Sequence, residues 1–171
     1  MSHILVAYFS HKGENYMPGG LTVLEKGHTE RAAEYIQQAV GADLFEITTV
    51  TPYAAGYRDC CAQAVAEMKA SARPEIHGSV ADMSQYDTVF VGFPCWCGTA
   101  PMCVFTFLEQ YDFSGKKLIP LCTNEGSGMA NAVADFRRSC PNADVTEGLA
   151  ILGHTVESSA EVLGNWAKSQ L

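Results

Sequence analysis

The chain has few basic side chains and no long apolar run, and each absence excludes a class of protein. Of its 171 residues, 11 are Lys or Arg and 19 are Asp or Glu, which gives a formal net charge of -8. That charge disfavours nucleic acid or an anionic membrane surface as the main partner, and it suits docking on basic protein surfaces. No apolar run approaches the roughly 18 residues that a membrane span requires.

The amino terminus and the cysteines also lack familiar signals. Met1-Ser2-His3 leads directly into a strand-like segment, without the basic, apolar and small-residue regions of a signal peptide. The seven cysteines are an odd number and include no CxxC pair, which argues against a disulfide framework, a zinc site and a thioredoxin-like exchange site. We therefore expect reduced thiols, no metal centre and a cytoplasmic location.

Short apolar segments alternate five times with segments of helical period. This alternation in 171 residues predicts one α/β domain, spanning 1–171, with a parallel sheet covered by helices on both faces. Such a doubly wound, three-layer sandwich has right-handed crossovers. The predicted strands are 3–9, 43–50, 88–93, 117–122 and 145–152, and the predicted helices are 29–40, 59–72, 101–111, 128–140 and 158–170.

Two features conflict with this regular pattern. Pro120 lies inside the fourth predicted strand, where it cannot donate a ladder hydrogen bond, so we expect a bulge near the end of that strand. Residues 12–26 separate strand one from helix one, although such connections usually contain about two to six residues. This irregular segment is either an elaborated functional loop or a tolerated excursion.

Trp96 lies on a Pro- and Gly-rich turn, residues 93–101, directly after a buried strand. Open parallel sheets bind ligands at the carboxyl ends of their strands, where three loops converge if the strand order is 2-1-3-4-5. A flat indole at this position either stacks on a flat ligand or simply covers the end of the sheet. The sequence alone leaves both interpretations open.

The other two converging loops carry groups suited to a ligand. The first begins at Ser10 and ends at Gly27, His28 and Thr29, where the unpaired N–H groups of a helix start can hold a phosphate. The alternative is a plain Thr N-cap. The third loop, 122–128, has two glycines and Ser127, a possible cap for helix four, and its Glu125 would disfavour adding electrons to a nearby ring.

Taken together, these loops resemble those of the flavodoxin family. Residues 8–10 (Tyr-Phe-Ser) and 27–29 (Gly-His-Thr) resemble its phosphate signature, and residues 94–101 and 123–128 resemble its two ring-binding loops. Residues 13–16 (Gly-Glu-Asn-Tyr) resemble an insertion in the first loop of a bacterial subgroup. The motifs occur in the right order over almost the whole chain. Flavodoxins are themselves the established example of this topology with flavin mononucleotide (FMN) at the switch point.

The resemblance implies a flavodoxin-like fold with five parallel strands in the order 2-1-3-4-5. It also implies noncovalent FMN and low-potential electron transfer to and from redox partner proteins, a function that requires no catalytic acid or base. The implied cofactor-binding residues are Ser10, Lys12, Tyr16, Gly27, His28, Thr29, Pro94, Cys95, Trp96, Cys97, Gly98, Thr99, Thr123, Asn124, Glu125, Gly126 and Ser127.

The sequence departs from the family pattern at two points. His28 replaces the usual Asn of the phosphate signature, and the third loop lacks the Tyr that often covers the second ring face. Tyr16, Tyr53 or Tyr57 could take that place. If one face stays open, the alternative function is an FMN-dependent reductase of quinones or similar acceptors with a nicotinamide donor, because hydride transfer requires an accessible ring face.

Overall fold

The computed structural model describes residues 3–171. Met1 and Ser2, the first two residues of the predicted domain, lie outside the described residues. The strands are β1 Ile4–Tyr8, β2 Gly13–Met17, β3 Gly20–Leu24, β4 Asp43–Glu46, β5 Thr88–Pro94, β6 Lys117–Asn124, β7 Asp144–Val145 and β8 Leu149–Leu152. The α-helices are α1 His28–Val40, α2 Tyr57–Lys69, α3 Met102–Glu109, α4 Ala132–Ser139 and α5 Ala160–Ser169, and short 3-10 helices span Met83–Gln85 and Gly153–Ser158.

The main sheet has the order β4-β1-β5-β6-β7, and β8 also pairs with β6. All of its pairings are parallel, with Val6 opposite Phe90 and Phe90 opposite Ile119 at its centre. β7 and β8 are two parts of the predicted fifth strand. The predicted order 2-1-3-4-5 is therefore confirmed, and the carboxyl ends of β1, β5 and β6 lie side by side.

Pro120 lies in the middle of β6 without interrupting it. The Thr146 N–H donates to the Leu118 carbonyl at 3.0 Å, so the backbone groups of Leu118 face the strand formed by β7 and β8. Alternate residues of a strand direct their backbone groups to the same side, so the nitrogen of Pro120, two residues later, faces that strand as well. That strand is interrupted at 146–148, opposite Pro120. A Cβ on Gly148 would overlap the Pro120 carbonyl oxygen. The prediction of a bulge in β6 is thus wrong. Pro120 has no N–H to donate, and the interruption lies in the partner strand, between β7 and β8.

Residues 12–26 are more regular than expected, because β2 and β3 pair with each other as an antiparallel hairpin. The hairpin is attached to the rest of the chain at its base, where Glu14 donates to the Ala55 carbonyl at 2.9 Å. Gly13 has a φ of 107°, and a Cβ there would lie 2.7 Å from the Ala55 oxygen. Only glycine therefore permits this close approach.

The core has one half on each face of the sheet. α1 and α5 cover one face, with Ile36 and Leu163 fully buried, and α3 and α4 cover the other, with Phe107 and Phe136 fully buried. α2 is attached more loosely, because only its Cys60 and Ala64 are buried. Ala62, Val65, Ala66 and Lys69 recur at helical spacing, which predicts a core face, but all four are exposed.

Candidate functional site

A cavity of about 420 Å³ opens where the loops after β5 and β6 meet the start of α1. The walls include ten residues predicted from the sequence and one side of α2. The predicted residues that line it are Tyr16, His28, Pro94, Cys95, Trp96, Cys97, Thr123, Asn124, Glu125 and Ser127. The other lining residues are Asn15, Tyr57, Cys60, Cys61, Ala64, Val65 and Gly153.

The start of α1 forms one end of the cavity. Gly27 is the N-cap residue of α1, and the helix start has no side-chain hydrogen bond from its N-cap residue. Instead, Ser10 Oγ accepts a hydrogen bond from the Glu30 N–H at 3.1 Å. A Cβ on Gly27 would overlap Ser10 Oγ and lie 2.7 Å from the His11 carbonyl oxygen, so this approach requires glycine. The N–H groups of His28 and Thr29 have no acceptor among residues 3–171.

The Thr29 side chain is not the N-cap that the sequence left open. Its hydroxyl is buried and lies 2.8 Å from the hydroxyl of Thr123, a residue of β6 that lines the cavity. This pair joins α1 to β6 beneath the cavity. The Thr29 side chain therefore fixes the position of the helix and does not cap it.

His28 lines the cavity from the first turn of α1. Its Nε2 is buried and has no hydrogen-bond partner among the described residues. Burial lowers the pKa of His28, although Glu125 opposes this effect. The imidazole is therefore neutral at neutral pH, and it offers an unsatisfied polar atom to a ligand rather than a positive charge.

The Trp96 indole is half-buried and supported from one side by three rings. Its centroid lies 5.0 Å from that of Tyr53, 5.2 Å from that of Phe9 and 5.9 Å from that of His11, all with edge-to-face geometry. It also lines the cavity. Trp96 therefore both packs against the end of the sheet and faces the cavity, so the two interpretations from the sequence are compatible. Tyr53 supports the indole and does not line the cavity.

The turn that carries Trp96 has an unusual backbone. Trp96 and Thr99 exchange two backbone hydrogen bonds of 2.9 and 3.1 Å. The two residues between them have positive φ, 54° at Cys97 and 76° at Gly98, as in a type I′ turn. The Thr99 hydroxyl donates to Asp135 at 2.6 Å. Gly98 and Thr99 thus shape the turn without lining the cavity.

The third loop holds its shape through its own side chains. Asn124 Oδ1 accepts from the N–H groups of Gly126 and Gly128 at 2.9 and 3.1 Å. Glu125 is bound by His154, whose backbone N–H lies 2.9 Å from Oε1 and whose Nδ1 lies 2.6 Å from Oε2. Gly126 does not line the cavity. The carboxylate of Glu125 is thus oriented by His154 at the cavity wall, beside His28.

Lys12 lies outside the cavity. Its Nζ is 3.6 Å from Glu30 and 3.9 Å from Glu46, and its side chain is 53% exposed. Ser127 lines the cavity but does not cap α4, whose N-cap is Asn131. The role of Lys12 in cofactor binding stays a prediction, as does that of each other residue inferred from the resemblance.

Apart from Tyr57, the residues of the wall formed by α2 were not predicted from the sequence. Tyr57, Cys60, Cys61, Ala64 and Val65 follow the spacing i, i+3, i+4, i+7 and i+8, which places them on one side of a helix. Tyr57 lies across from Tyr16 of the hairpin, with ring centroids 6.4 Å apart. The spacing from Tyr57 was the available signal for this wall.

Within residues 3–171, no group of three or more His, Cys, Asp or Glu side chains could hold a metal ion. None of the helices in the same residues has the length and apolar character needed to cross a membrane.

Comparison with known proteins identifies the family. A family model described as flavodoxin matches residues 3–170. A flavoprotein from Bacteroides uniformis is 30% identical, with a TM-score of 0.79 and 98% of each chain covered. A flavoprotein from Bacteroides eggerthii is 29% identical, with a TM-score of 0.74 and 95% of this chain and 98% of that chain covered.

A third solved structure shares the fold at lower identity. It is a flavoprotein from Lactobacillus acidophilus in complex with FMN, which is 20% identical with a TM-score of 0.70 and covers 92% of this chain and 98% of its own. No curated protein matches significantly. Because the family model spans nearly the whole chain and the sheet has the expected order, this chain belongs to the flavodoxin family.

Proposed function

We propose that this chain binds FMN noncovalently in the cavity and transfers electrons between redox partner proteins. The observation that carries the proposal is the position of the cavity. It lies at the carboxyl ends of neighbouring parallel strands, between the Trp96 turn and the start of α1. That is the ligand site of doubly wound folds, and membership of the flavodoxin family supports FMN as the ligand.

The cavity suits the ring of FMN in size and composition. Its volume of about 420 Å³ lies within the range of about 300–1,000 Å³ of small-molecule sites. Trp96 lines one part of the wall, and Tyr16 and Tyr57 line another. Flat aromatic side chains on several sides favour a flat ligand, because stacking adds to the free energy of burial. Because both tyrosines line the cavity, we propose that Tyr16 and Tyr57 contact a second ring face.

The start of α1 suits a phosphate group. The N–H groups of His28 and Thr29 lack acceptors, and the helix dipole favours a negative charge at this end. The orphaned His28 Nε2 gains a partner if its proton points to a phosphate oxygen. Ser10 already accepts from the Glu30 N–H, so its hydroxyl proton is available to a second acceptor. The donors present thus fit a phosphate without any Arg.

When bound, FMN supplies the redox chemistry, and the residues of the chain bind it, orient it and set its electrostatic surroundings. Glu125 is fixed at the cavity wall by His154, and it places a carboxylate near any ring bound there. A negative charge and an electron-rich indole both disfavour the anionic reduced ring. These contacts favour a low reduction potential, as the sequence predicts.

Flavin titration tests the proposal. Adding FMN to the protein should quench flavin fluorescence to a stoichiometric end point, and riboflavin should bind more weakly because it lacks the phosphate. Unchanged flavin fluorescence would contradict the proposal. Mixing the FMN-loaded protein with NADPH then distinguishes carrier from reductase: an electron carrier should keep its yellow absorbance, whereas rapid bleaching without a partner enzyme would support the reductase.

A further inference from the structure

Two cysteines come together at the wall of the cavity from neighbouring strands. In the β5–β6 register, Phe93 is opposite Cys122 and Pro94 is opposite Thr123. Cys95 follows immediately, and its N–H donates to the Thr123 carbonyl at 2.9 Å. Because side chains alternate between faces along a strand, Cys95 lies on the same face as Phe93 and Cys122. Both cysteines pack into the same half of the core.

The two thiols differ in access. Cys95 is half-buried and lines the cavity, whereas Cys122 is completely buried behind it. The Cys122 sulfur lies 3.5 Å from the Gly128 carbonyl and 3.6 Å from that of Thr123. An accessible thiol in front of a buried one is the arrangement in which the first reacts and the second resolves the product.

Three groups near Cys95 favour its thiolate, namely the thiol of Cys122, the hydroxyl of Ser127 and the backbone N–H of Gly98. Their effect outweighs that of burial and lowers the pKa of Cys95 to about 6. The hydrogen bond to Cys95, together with burial, raises the pKa of Cys122. At neutral pH the pair therefore consists of a thiolate facing the cavity and a buried thiol.

The backbone of the Trp96 turn supports the same interpretation. Cys97 has a φ of 54°, in a turn position where Asn is usual and a Cys side chain is disfavoured. Together with Gly98, at a φ of 76°, it determines where the Gly98 N–H points. Strained residues of this kind persist when the surrounding structure uses the conformation. Here the turn carries the Gly98 N–H, which helps to lower the pKa of Cys95.

We propose that Cys95 and Cys122 form a redox-active dithiol that reacts with small organic disulfides. The Cys95 thiolate attacks one sulfur of R–S–S–R, which forms a mixed disulfide and releases R–S⁻. Cys122 then attacks the Cys95 sulfur, loses its proton and expels the second R–S⁻, and the Cys95–Cys122 disulfide forms. The two protein thiols lose two electrons and two protons, and the small disulfide becomes two thiols.

The proposal goes beyond the proposed electron transfer and does not depend on FMN. It also distinguishes Cys95 from three other cysteines of the chain, Cys60, Cys97 and Cys140. Burial raises the pKa of Cys97, and it raises that of Cys60 to about 12. Cys140 is buried at the far side of α4, where burial raises its pKa to about 11. These three thiols are protonated at neutral pH, so we expect them to react slowly.

Treatment with oxidised glutathione at neutral pH tests the pair, with protein freed of flavin and with FMN-loaded protein. In the flavin-free protein, mass spectrometry should show a product lighter by two hydrogen atoms, and peptide mapping should join Cys95 to Cys122. Cys122→Ser should stop at a glutathione adduct on Cys95, and Cys95→Ser should form neither the internal disulfide nor an adduct on Cys122. Cys140→Ser, away from the cavity wall, is the control and should close the same disulfide as the wild type.

A disulfide between Cys95 and Cys97 would overturn the assignment of Cys122. An unreacted Cys95 would overturn the proposal as a whole. FMN titration of each variant separates this result from a failure of flavin binding.

A second measurement needs no substitution. The rate at which iodoacetamide alkylates Cys95 in the wild type should reach half of its plateau near pH 6, rather than near the pKa of about 8.5 of an ordinary thiol. Ser127→Ala should move that midpoint upward, because it removes one donor. A wild-type midpoint at or above that of an ordinary thiol would contradict the thiolate and, with it, the proposed exchange.

Discussion

Gly27→Ala perturbs the proposed phosphate site through a single methyl group. The backbone at Gly27, with φ of -67° and ψ of 158°, suits alanine, so the effect comes from contacts and not from backbone strain. The new Cβ would overlap Ser10 Oγ and lie 2.7 Å from the His11 carbonyl oxygen. Either the helix start or the loop after β1 has to move away, which separates Ser10 from the Glu30 N–H.

The size of the effect follows from these contacts. Overpacking costs about 1–3 kcal/mol, the lost hydrogen bond costs about 0.5–1.5 kcal/mol, and the reduced freedom of the unfolded chain returns about 0.4–1 kcal/mol. We expect a decrease of about 1–3 kcal/mol in the free energy of unfolding, measured in urea. FMN affinity should decrease by roughly tenfold more than riboflavin affinity, because the displaced N–H groups are those proposed to bind phosphate.

Gly19→Ala is the matched control, because nothing lies within 4 Å of the Cβ position at Gly19 in the hairpin turn. Its free energy of unfolding should stay within about 0.5 kcal/mol of the wild type. If Gly27→Ala is as stable as this control and keeps the wild-type preference for FMN over riboflavin, the start of α1 is not the phosphate site.

Three further predictions concern the cavity wall. Trp96→Ala removes three ring contacts, so it should weaken FMN binding by about 1–3 kcal/mol and lower the free energy of unfolding by about 3 kcal/mol. Trp96→Phe should retain most of the FMN affinity and most of the stability, and an unchanged FMN affinity in Trp96→Ala would exclude stacking. Burial lowers the pKa of His28, so on acidification the unfolded chain protonates this side chain before the folded protein does, and the free energy of unfolding should fall as the pH drops below about 6.5. His28→Gln should reduce that slope by up to about 1.4 kcal/mol per pH unit, and an identical slope in the variant would refute the role of His28. Glu125→Gln removes the repulsion between the carboxylate and the reduced ring, so it should raise the reduction potential of bound FMN by about 40 mV for each kcal/mol of repulsion lost in a one-electron step. An unchanged or lower potential would show that Glu125 does not set it.

The arrangement of the sheet could be predicted because each buried strand is a short apolar run. The segment 88–93 and the segment 117–122 are apolar at nearly every position, as strands covered on both faces must be, and they form the centre of the sheet. The interruption of the fifth strand could not be predicted from its own residues. It results from Pro120 in the neighbouring strand, so it becomes visible only when the two strands are paired.

The hairpin escaped prediction for a different reason. β2 and β3 pair with each other and expose Tyr16, Leu21 and Val23, so their sequence does not show the alternation of a strand with one buried face. The turn residues Pro18 and Gly19 were a signal for a short loop. The flanking residues gave no corresponding pattern of burial.

The converging loops were predictable, but their internal contacts were not. Residue types and the topological switch point indicated that the loops at Ser10, Trp96 and Asn124 meet. The hydroxyl contact between Thr29 and Thr123 joins residues 94 positions apart, and the thiol pair of Cys95 and Cys122 joins two strands. Contacts of this kind depend on strand register, which a pattern of residue types does not specify. The residue assignments and the cytoplasmic location stay predictions.

Tryptophan fluorescence tests the central claim most directly, because the chain has two tryptophans on opposite faces of the sheet. Trp96 lines the cavity, whereas Trp166 packs on Phe90 in the other half of the core. In Trp166→Phe, FMN should strongly quench the remaining emission of Trp96 at one equivalent. In Trp96→Phe, the emission of Trp166 should be quenched much less at full occupancy. Equal quenching in the two saturated variants, or none in Trp166→Phe, would place FMN outside this cavity.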